Sequence, residues 1–156
     1  MAPSVVRLQT FNMQQKFFMR HHNSEGEINE FNLPGPAKDF DWRIHFLRLE
    51  EGFRLVSFEA VQPADHFLRH QNYRLVLSEN DGTPLFERDR TFRVTNPLFG
   101  DPAEGWISYQ AYEPQFRNRF IAHKDFHLYI RDMNEPFMQA GEDGKVGDAT
   151  WKVVAP

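Results

Sequence analysis

The chain has 156 residues, of which 40% are hydrophobic and 15% aromatic, enough apolar material for one packed domain rather than two. The net charge is −4, and the 18 Lys and Arg residues are scattered without a basic run, so we expect no nucleic-acid partner. The lack of cysteine excludes a disulfide framework and thiolate chemistry. We expect a single domain over residues 1–156 and a monomer.

The N-terminal residues lack the apolar run of a signal peptide, and no stretch approaches the ~20 apolar residues of a membrane span. We therefore expect no membrane contact. If Met1 is the native start, a cytoplasmic location is expected. If the chain was excised from a longer secreted protein, an extracellular location is expected instead.

Short segments of about four to six residues, rich in β-branched and aromatic types, recur along the chain and predict strands. In chain order they are 6–11, 17–20, 54–58, 67–70, 73–77, 91–94, 106–109, 126–130 and 150–154. Asn, Asp, Gly and Pro lie between them, as in the turns predicted at 34–36, 80–82 and 143–144. No segment keeps a helical period beyond a turn or two, so the pattern predicts an all-β protein.

A Phe-x-x-His tetrapeptide occurs three times, and each copy is followed by an Asp that precedes an aromatic residue by two or three positions. The tetrapeptides are 18–21, 67–70 and 120–123, and the later pairs are Asp39 with Trp42, Asp89 with Phe92, and Asp148 with Trp151. The histidines and the aspartates are two independent landmarks, and both give a period of roughly 50 residues. The chain is therefore predicted to contain three repeats.

The repeats are expected at about 6–49, 53–98 and 105–154, each with four short strands. Three such units make a twelve-stranded β-trefoil with pseudo-threefold symmetry, in which paired strands close a short barrel and three hairpins cap one end. The longer spacing before Asp148 predicts an insertion at Pro136–Gly147 that forms a surface loop.

The aromatic residues of the repeats are predicted to build the core. They are Phe18, Phe67, Phe120, Trp42, Phe92 and Trp151. Each His follows its Phe by three positions, so in a strand it faces the other way, toward solvent or a pocket wall. A single His of this kind could instead simply hydrogen-bond a backbone carbonyl of its own hairpin.

The recurrence of His with Asp favours one polar pocket per repeat. The two Asp oxygens and the His nitrogens suit the hydroxyl groups of a sugar better than an anion. Asn23, Asn72 and Asp125 each follow their His by two positions and are expected on its face of the strand. Tyr73 and Phe126 next to them fit an apolar pocket wall and a core position about equally well. No cofactor and no metal ion is expected.

Catalysis is the weaker interpretation, and no catalytic residue is predicted. There is no Gly-x-Ser-x-Gly motif, and one Asp per repeat does not supply the two carboxylates of a glycosidase. Glu25, Glu27 and Glu142 are the candidates for a second carboxylate, but surface charge explains them better. A metal site at His21 and His22 is disfavoured because neighbours in a strand point to opposite faces.

The second repeat resembles a known family. Segments 57–61, 67–82 and 86–94 are similar to the carbohydrate-binding domain attached to α-L-arabinofuranosidase B, carbohydrate-binding module family 42, and the first and third tetrapeptides extend the likeness. The resemblance implies a β-trefoil that binds arabinofuranosyl side chains of arabinoxylan or arabinan through one shallow pocket per repeat. It implies three ligand-binding pairs, called here the first, second and third pockets: His21 with Asp39, His70 with Asp89, and His123 with Asp148.

The chain departs from the family pattern at two places. The first repeat has the segment 27–36 instead of a Leu-x-Leu and Asp-Gly hairpin, and Ala122 stands where the other repeats have Arg20 and Arg69. Family members are usually joined to a catalytic domain. The alternative is therefore a free-standing trefoil re-used as an enzyme or a protein-interaction domain with a different ligand. A deep apolar cavity with one strongly perturbed carboxylate would favour that alternative.

Overall fold

The computed structural model describes residues 3–31, 37–134 and 144–156. Within these ranges it contains twelve strands: β1 (Val5–Thr10), β2 (Phe17–His22), β3 (Glu25–Glu30), β4 (Trp42–Glu50), β5 (Phe53–Ala60), β6 (His66–Gln71), β7 (Arg74–Glu79), β8 (Phe92–Thr95), β9 (Trp106–Ala111), β10 (Arg119–Lys124), β11 (His127–Asp132) and β12 (Trp151–Val154). The helices there are short: α1 (Pro84–Asp89), α2 (Gly144–Asp148) and the 3-10 turns Met13–Gln15, Ala37–Phe40, Pro102–Glu104 and Pro114–Phe116. None of them combines the length and the apolar character needed to cross a bilayer. The predicted all-β class is confirmed.

Six strands close into a ring of antiparallel pairs. The order around the ring is β1, β4, β5, β8, β9, β12 and back to β1. The other six strands form the hairpins β2–β3, β6–β7 and β10–β11, and their second strands β3, β7 and β11 pair with one another. The molecule is therefore a short barrel with three hairpins that meet at one end.

The sequence segments left out three strands, β3, β4 and β10, although β10 carries the third tetrapeptide. β3 carries Glu25, Glu27 and Glu30, and β4 alternates buried and exposed positions only weakly beyond Trp42, so neither shows the apolar pattern of the other strands. Tertiary pairing supplies what the local pattern lacks, because β4 pairs with β5 along its length and β3 pairs with β2 at six positions.

The three hairpins have the same turn. Each has six paired positions and a two-residue connection in which both residues have positive φ, between 50° and 67°. The connections are Asn23-Ser24, Asn72-Tyr73 and Asp125-Phe126. Two positive φ angles in a two-residue loop define a type I′ turn, which favours Asn and Asp at its first position. This backbone requirement alone explains why Asn23, Asn72 and Asp125 recur after the histidines.

The core confirms most of the aromatic prediction. Trp42, Phe92 and Trp151 are fully buried in the main hydrophobic cluster. The Phe residues of the tetrapeptides lie outside that cluster: Phe67 and Phe120 are buried, and Phe18 is half-buried. The core prediction therefore holds for Phe67 and Phe120, whereas the expectation that all three meet in one central cluster is wrong. The next residue of each strand takes the central place instead. These core residues are Met19, Leu68 and Ile121, all 0% exposed.

Strand alternation explains this exchange. Residues next to each other in a strand point to opposite faces, so a hairpin that turns its aliphatic residue inward must turn its Phe outward. Phe67 is then covered by Phe86 of α1, with ring centroids 6.3 Å apart.

Of the insertion predicted at Pro136–Gly147, residues 136–143 lie outside the described residues, as do Glu142 and the turn predicted at 34–36. Residues 144–147 belong to α2.

Candidate functional site

The second pocket is assembled from β6 and α1. α1 begins after Thr83, whose Oγ1 accepts a hydrogen bond from the Phe86 backbone N–H at 3.2 Å, and it ends at Asp89. This brings the Asp89 carboxylate, which is 5% exposed, beside Arg69 of β6. Arg69 Nη2 donates to Asp89 Oδ2 at 2.5 Å. The guanidinium thus fixes the carboxylate and balances its buried charge.

His70 is the neighbour of Arg69 on β6 and points the other way. Its ring is 5% exposed and packs edge-on against Phe116, with ring centroids 5.3 Å apart. Its Nε2 has no hydrogen-bond partner among the described residues. Burial lowers the pKa of the His70 imidazole, Asp89 opposes that shift, and Arg69 adds to it. The neutral ring can both donate and accept a hydrogen bond.

Glu113 completes the second pocket and was missed by the sequence analysis. His70, Asp89 and Glu113 each offer one atom, and these atoms lie within 4.8 Å of one another. The Glu113 carboxyl hydrogen-bonds Asp89, and its pKa is raised by burial first and by Asp89 second. An open cavity of about 440 Å³ is lined by all three residues together with Asn72, Gln115 and Phe116, among others.

The first pocket repeats this arrangement on β2. Arg20 Nη2 donates to Asp39 Oδ2 at 2.6 Å. His21 is 7% exposed, packs edge-on against Trp42 and hydrogen-bonds the backbone of Gln62. Its Nε2, like that of His70, has no partner within the part of the chain that the structure describes. Burial lowers the pKa of His21, and Asp39 opposes the shift.

The third pocket differs because the chain bonds its own polar groups there. His123 Nε2 donates to Asn12 Oδ1 at 2.7 Å, and Asn12 Nδ2 donates to Asp148 Oδ1 at 2.6 Å. His123 Nε2 and Asp148 Oδ1 are 3.6 Å apart. The Asn12 amide therefore bridges His123 and Asp148, whereas His21 Nε2 and His70 Nε2 have no such partner among the described residues.

The Arg missing at Ala122 is replaced from the opposite strand. Arg131 of β11 donates from Nη1 to Asp148 Oδ2 at 2.7 Å and to the His123 carbonyl at 3.0 Å. Arg131 pairs with Phe120 in the hairpin register, a position that Asn29 and Ser78 occupy in the other hairpins. All three aspartates thus receive a guanidinium, although one of them receives it from a different strand.

Asn12, Gln62 and Glu113 occupy corresponding positions. They come two residues after Thr10, Ala60 and Ala111, which pair with Trp151, Trp42 and Phe92 respectively. Each extends from the end of a barrel strand to the His of a hairpin distant in sequence. The signal that could have identified them is this strand register, which is invisible along the sequence because the three side chains differ.

The other predicted pocket residues lie in exposed turns. Asn72 lines the cavity of the second pocket and also a neighbouring cavity. Asp125 lines only the neighbouring one of these two, together with Arg119, Lys124 and Arg131. Asn23 is exposed. The expectation that these residues share the face of the His does not apply, since the strands end before the turns. Tyr73 and Phe126 are 47% and 50% exposed and are not core residues.

A closed six-stranded ring capped by three hairpins, each with a buried His, defines a β-trefoil-like domain. The solved BEL β-trefoil supports this class, with a TM-score of 0.60 at 13% identity over 99% of this chain and 96% of that one. Residues 6–153 match the family model of the α-L-arabinofuranosidase B (ABFB) domain. The chain belongs to that family.

Curated relatives match parts of the chain. α-L-Arabinofuranosidase B of Emericella nidulans is 51% identical over 75 residues, which is 48% of this chain and 14% of that protein. An arabinofuranosidase/B-xylosidase of Trichoderma koningii is 32% identical over 76 residues, or 47% and 14% of the two chains. A solved arabinofuranosidase complexed with arabinofuranosyl-α-1,2-xylobiose has a TM-score of 0.80 at 18% identity, over 99% of this chain and 31% of that one. The chain thus matches only a small part of these larger proteins.

Proposed function

We propose that this chain is a non-catalytic carbohydrate-binding domain that recognises arabinofuranosyl side chains of plant polysaccharides such as arabinoxylan or arabinan. The observation that carries the proposal is the buried His70–Asp89 pair at an open polar cavity, with His70 Nε2 unpartnered among the described residues. The proposal takes residues 1–156 as one monomeric domain, with three repeats of roughly 50 residues. The equal hairpin registers and the matching turns support the repeats.

The chemistry of the second pocket favours a sugar. Arg69 fixes the Asp89 carboxylate, which keeps acceptor capacity for hydroxyl groups, and the neutral His70 ring can donate or accept at another hydroxyl. Phe116 supplies an apolar ring at the cavity wall. A few directional polar groups beside an aromatic face are typical of sites for neutral polyhydroxylated ligands.

The family membership supports the choice of sugar. The ABFB domain family takes its name from an enzyme that acts on arabinofuranosides, and a solved arabinofuranosidase with the same fold is complexed with an arabinofuranosyl xylobiose. We carry that ligand class to this chain as part of the proposal. Arabinofuranosyl groups repeat along a polymer, so weak pockets on one domain would gain avidity.

The pockets are proposed to be unequal. The first and second pockets have a His Nε2 without a partner among the described residues, and these two are the proposed sugar sites. The third pocket is bridged by Asn12 and is proposed to be closed in the resting domain. Asn23 and Asp125 would contact a sugar only at the rim, where their turns lie.

The geometry of Asp89 and Glu113 disfavours hydrolysis. Among the described residues, these are the carboxyl groups that the structure brings together at a predicted pocket. Glu113 has the raised pKa expected of a catalytic acid, but it hydrogen-bonds Asp89 directly. The two carboxyl groups of a glycosidase stand about 5–5.5 Å apart when retaining and farther apart when inverting. Glu25 Oε2 lies 3.6 Å from Arg74 Nη1, and Glu27 Oε2 lies 3.4 Å from His22 Nδ1. Such contacts are typical of surface charges.

Affinity gel electrophoresis with arabinoxylan tests the proposal. We expect the wild-type domain to be retarded and Asp89→Asn and His70→Ala to migrate faster, with circular dichroism confirming that both variants fold. Asp101→Asn, at an exposed 3-10 cap that Asn can also form, is the matched control and should be retarded like the wild type. Free migration of the wild type, or retardation unchanged by both pocket variants, would overturn the proposal.

A further inference from the structure

We infer that His70, Asp89 and Glu113 bind a divalent transition-metal ion such as Zn²⁺ or Mn²⁺ in the second pocket. This site goes beyond sugar binding and does not depend on it. No metal ion was expected from the sequence, where only His21 and His22 were considered and Glu113 was not recognised as a neighbour of the His–Asp pair. The barrel register brings Glu113 there from the end of β9.

The three ligand atoms converge closely enough for one ion. They lie within 4.8 Å of one another, and all three residues are buried, with exposures of 5%, 5% and 7%. Ligand atoms at about 2.1 Å from an ion in tetrahedral coordination are about 3.4 Å apart. Side-chain movements on the order of 1 Å would bring the three atoms to that spacing. The adjoining cavity has room for water molecules to complete the coordination.

Two carboxyl groups and one guanidinium already meet in this pocket. Asp89 and Glu113 hydrogen-bond each other, and Arg69 Nη2 donates to Asp89 Oδ2. A divalent ion between the two carboxylates would neutralise both.

The His supplies an unused nitrogen on the same side. His70 is only 5% exposed, and its Nε2 has no hydrogen-bond partner among the described residues. The corresponding nitrogen of His123 faces Asn12 and Asp148, so the shared hairpin register directs His70 Nε2 toward Asp89 and Glu113. One imidazole nitrogen with two carboxylate oxygens favours Zn²⁺ or Mn²⁺ over Ca²⁺, which prefers oxygen ligands alone.

The other pockets lack this ligand set. The position of Glu113 is taken by the Asn12 amide in the third pocket, and in the first pocket His21 meets the Gln62 backbone. The structure describes residues 3–31, 37–134 and 144–156. Within them, one group of three metal-ligating side chains lies close enough to hold an ion, and it consists of His70, Asp89 and Glu113. A single metal ion per domain is therefore expected.

Calorimetric titration of chelator-treated protein with ZnCl₂, and separately with MnCl₂, tests the site without any sugar. We expect wild-type protein to bind one equivalent of at least one of these ions, with a matching rise in Tm. Glu113→Gln keeps the side-chain size and can still donate a hydrogen bond to Asp89, so it should fold. Its affinity should fall by at least the ~10- to 100-fold that loss of a supporting group costs a metal site.

Glu104→Gln makes the same chemical change at an exposed position and should bind the ion like the wild type. This control separates the buried site from weak binding to exposed histidines such as His22. Absence of stoichiometric binding of both ions to the wild type, or equal affinities for the wild type and Glu113→Gln, would overturn the inference. The two proposals fail separately, because the wild-type domain can bind a metal ion without being retarded by arabinoxylan, and can be retarded by arabinoxylan without binding a metal ion.

Discussion

Arg131 of the third hairpin and Asp148 of α2 form a buried ion pair, with Nη1 and Oδ2 2.7 Å apart and both side chains at most 11% exposed. The corresponding pairs in the other hairpins are Arg69 with Asp89 and Arg20 with Asp39, in which the Arg comes from the first strand of the hairpin. The position of the charge is thus kept although its place in the sequence has changed. Each pocket needs a guanidinium to hold its Asp, whichever strand provides it.

Removal of this Arg should be costly. Arg131→Ala leaves Asp148 buried with its charge uncompensated, and we expect the free energy of unfolding in urea to fall by about 3–5 kcal/mol. Arg131→Lys keeps the charge but loses the second donor group, so an intermediate loss is expected. Arg88→Ala, at an exposed position, should change stability little. A loss for Arg131→Ala no larger than that of Arg88→Ala would contradict the ion-pair role.

Asn12→Ala should open the third pocket. The substitution removes the amide that bridges His123 and Asp148, so a sugar hydroxyl can replace it at His123 Nε2 and Asp148 Oδ1. Calorimetry with an arabinofuranosyl oligosaccharide should then give three sites per domain instead of two, with a loss of stability of about 1–3 kcal/mol from the broken hydrogen bonds. Asn96→Ala, at an exposed position, is the control. An unchanged stoichiometry would show that Asn12 does not close the pocket.

Acid should destabilise the domain partly through His21. Burial lowers the pKa of His21 in the folded state below the ordinary 6.5, Asp39 opposes the shift, and Arg20 and His66 add to it. Below pH 6.5 the unfolded chain therefore binds more protons at this group than the folded chain does. The free energy of unfolding should fall as the pH decreases from about 7 through 6.5 to the lowered pKa.

His21→Gln tests this dependence because it removes the titrating group and keeps a polar side chain. The Tm of the wild type should drop more steeply than that of His21→Gln between pH 7 and pH 5. His22→Gln, which changes an exposed neighbour, should keep the wild-type slope. Parallel curves for the wild type and His21→Gln would show that this His is not the acid-sensitive group.

Trp151→Phe should destabilise the domain without changing its fold. Trp151 Nε1 donates to the Ile121 carbonyl at 3.0 Å, and a Phe ring leaves that buried carbonyl unpaired. The expected cost is about 1–3 kcal/mol, to which the smaller ring adds the effect of a cavity. Phe92 occupies the corresponding position in the second repeat, so the backbone accepts the residue. Chemical denaturation measures the loss, and an unchanged midpoint would contradict the role of the hydrogen bond.

The prediction from sequence was most accurate where the physics is local. The strand segments and the Trp42 and Trp151 core positions follow from alternation and burial. The link from each His to its Asp came from spacing alone and stays a prediction. The Phe of the tetrapeptides was placed in the central cluster because alternation tells which residues share a face but not which face turns inward. Packing decides that, and it selected Met19, Leu68 and Ile121.

The sequence by itself determined an all-β chain, its family and three His–Asp pairs, whose role as sugar ligands stays a prediction. Only the tertiary structure decided that Asn12 bridges one pair, that Glu113 joins another and that Arg131 replaces an Arg missing at Ala122. These contacts depend on the register between strands and on the pairing of a hairpin, which join residues up to 136 positions apart. Spacing within one repeat carries no information about a neighbour that arrives from another strand of the closed barrel.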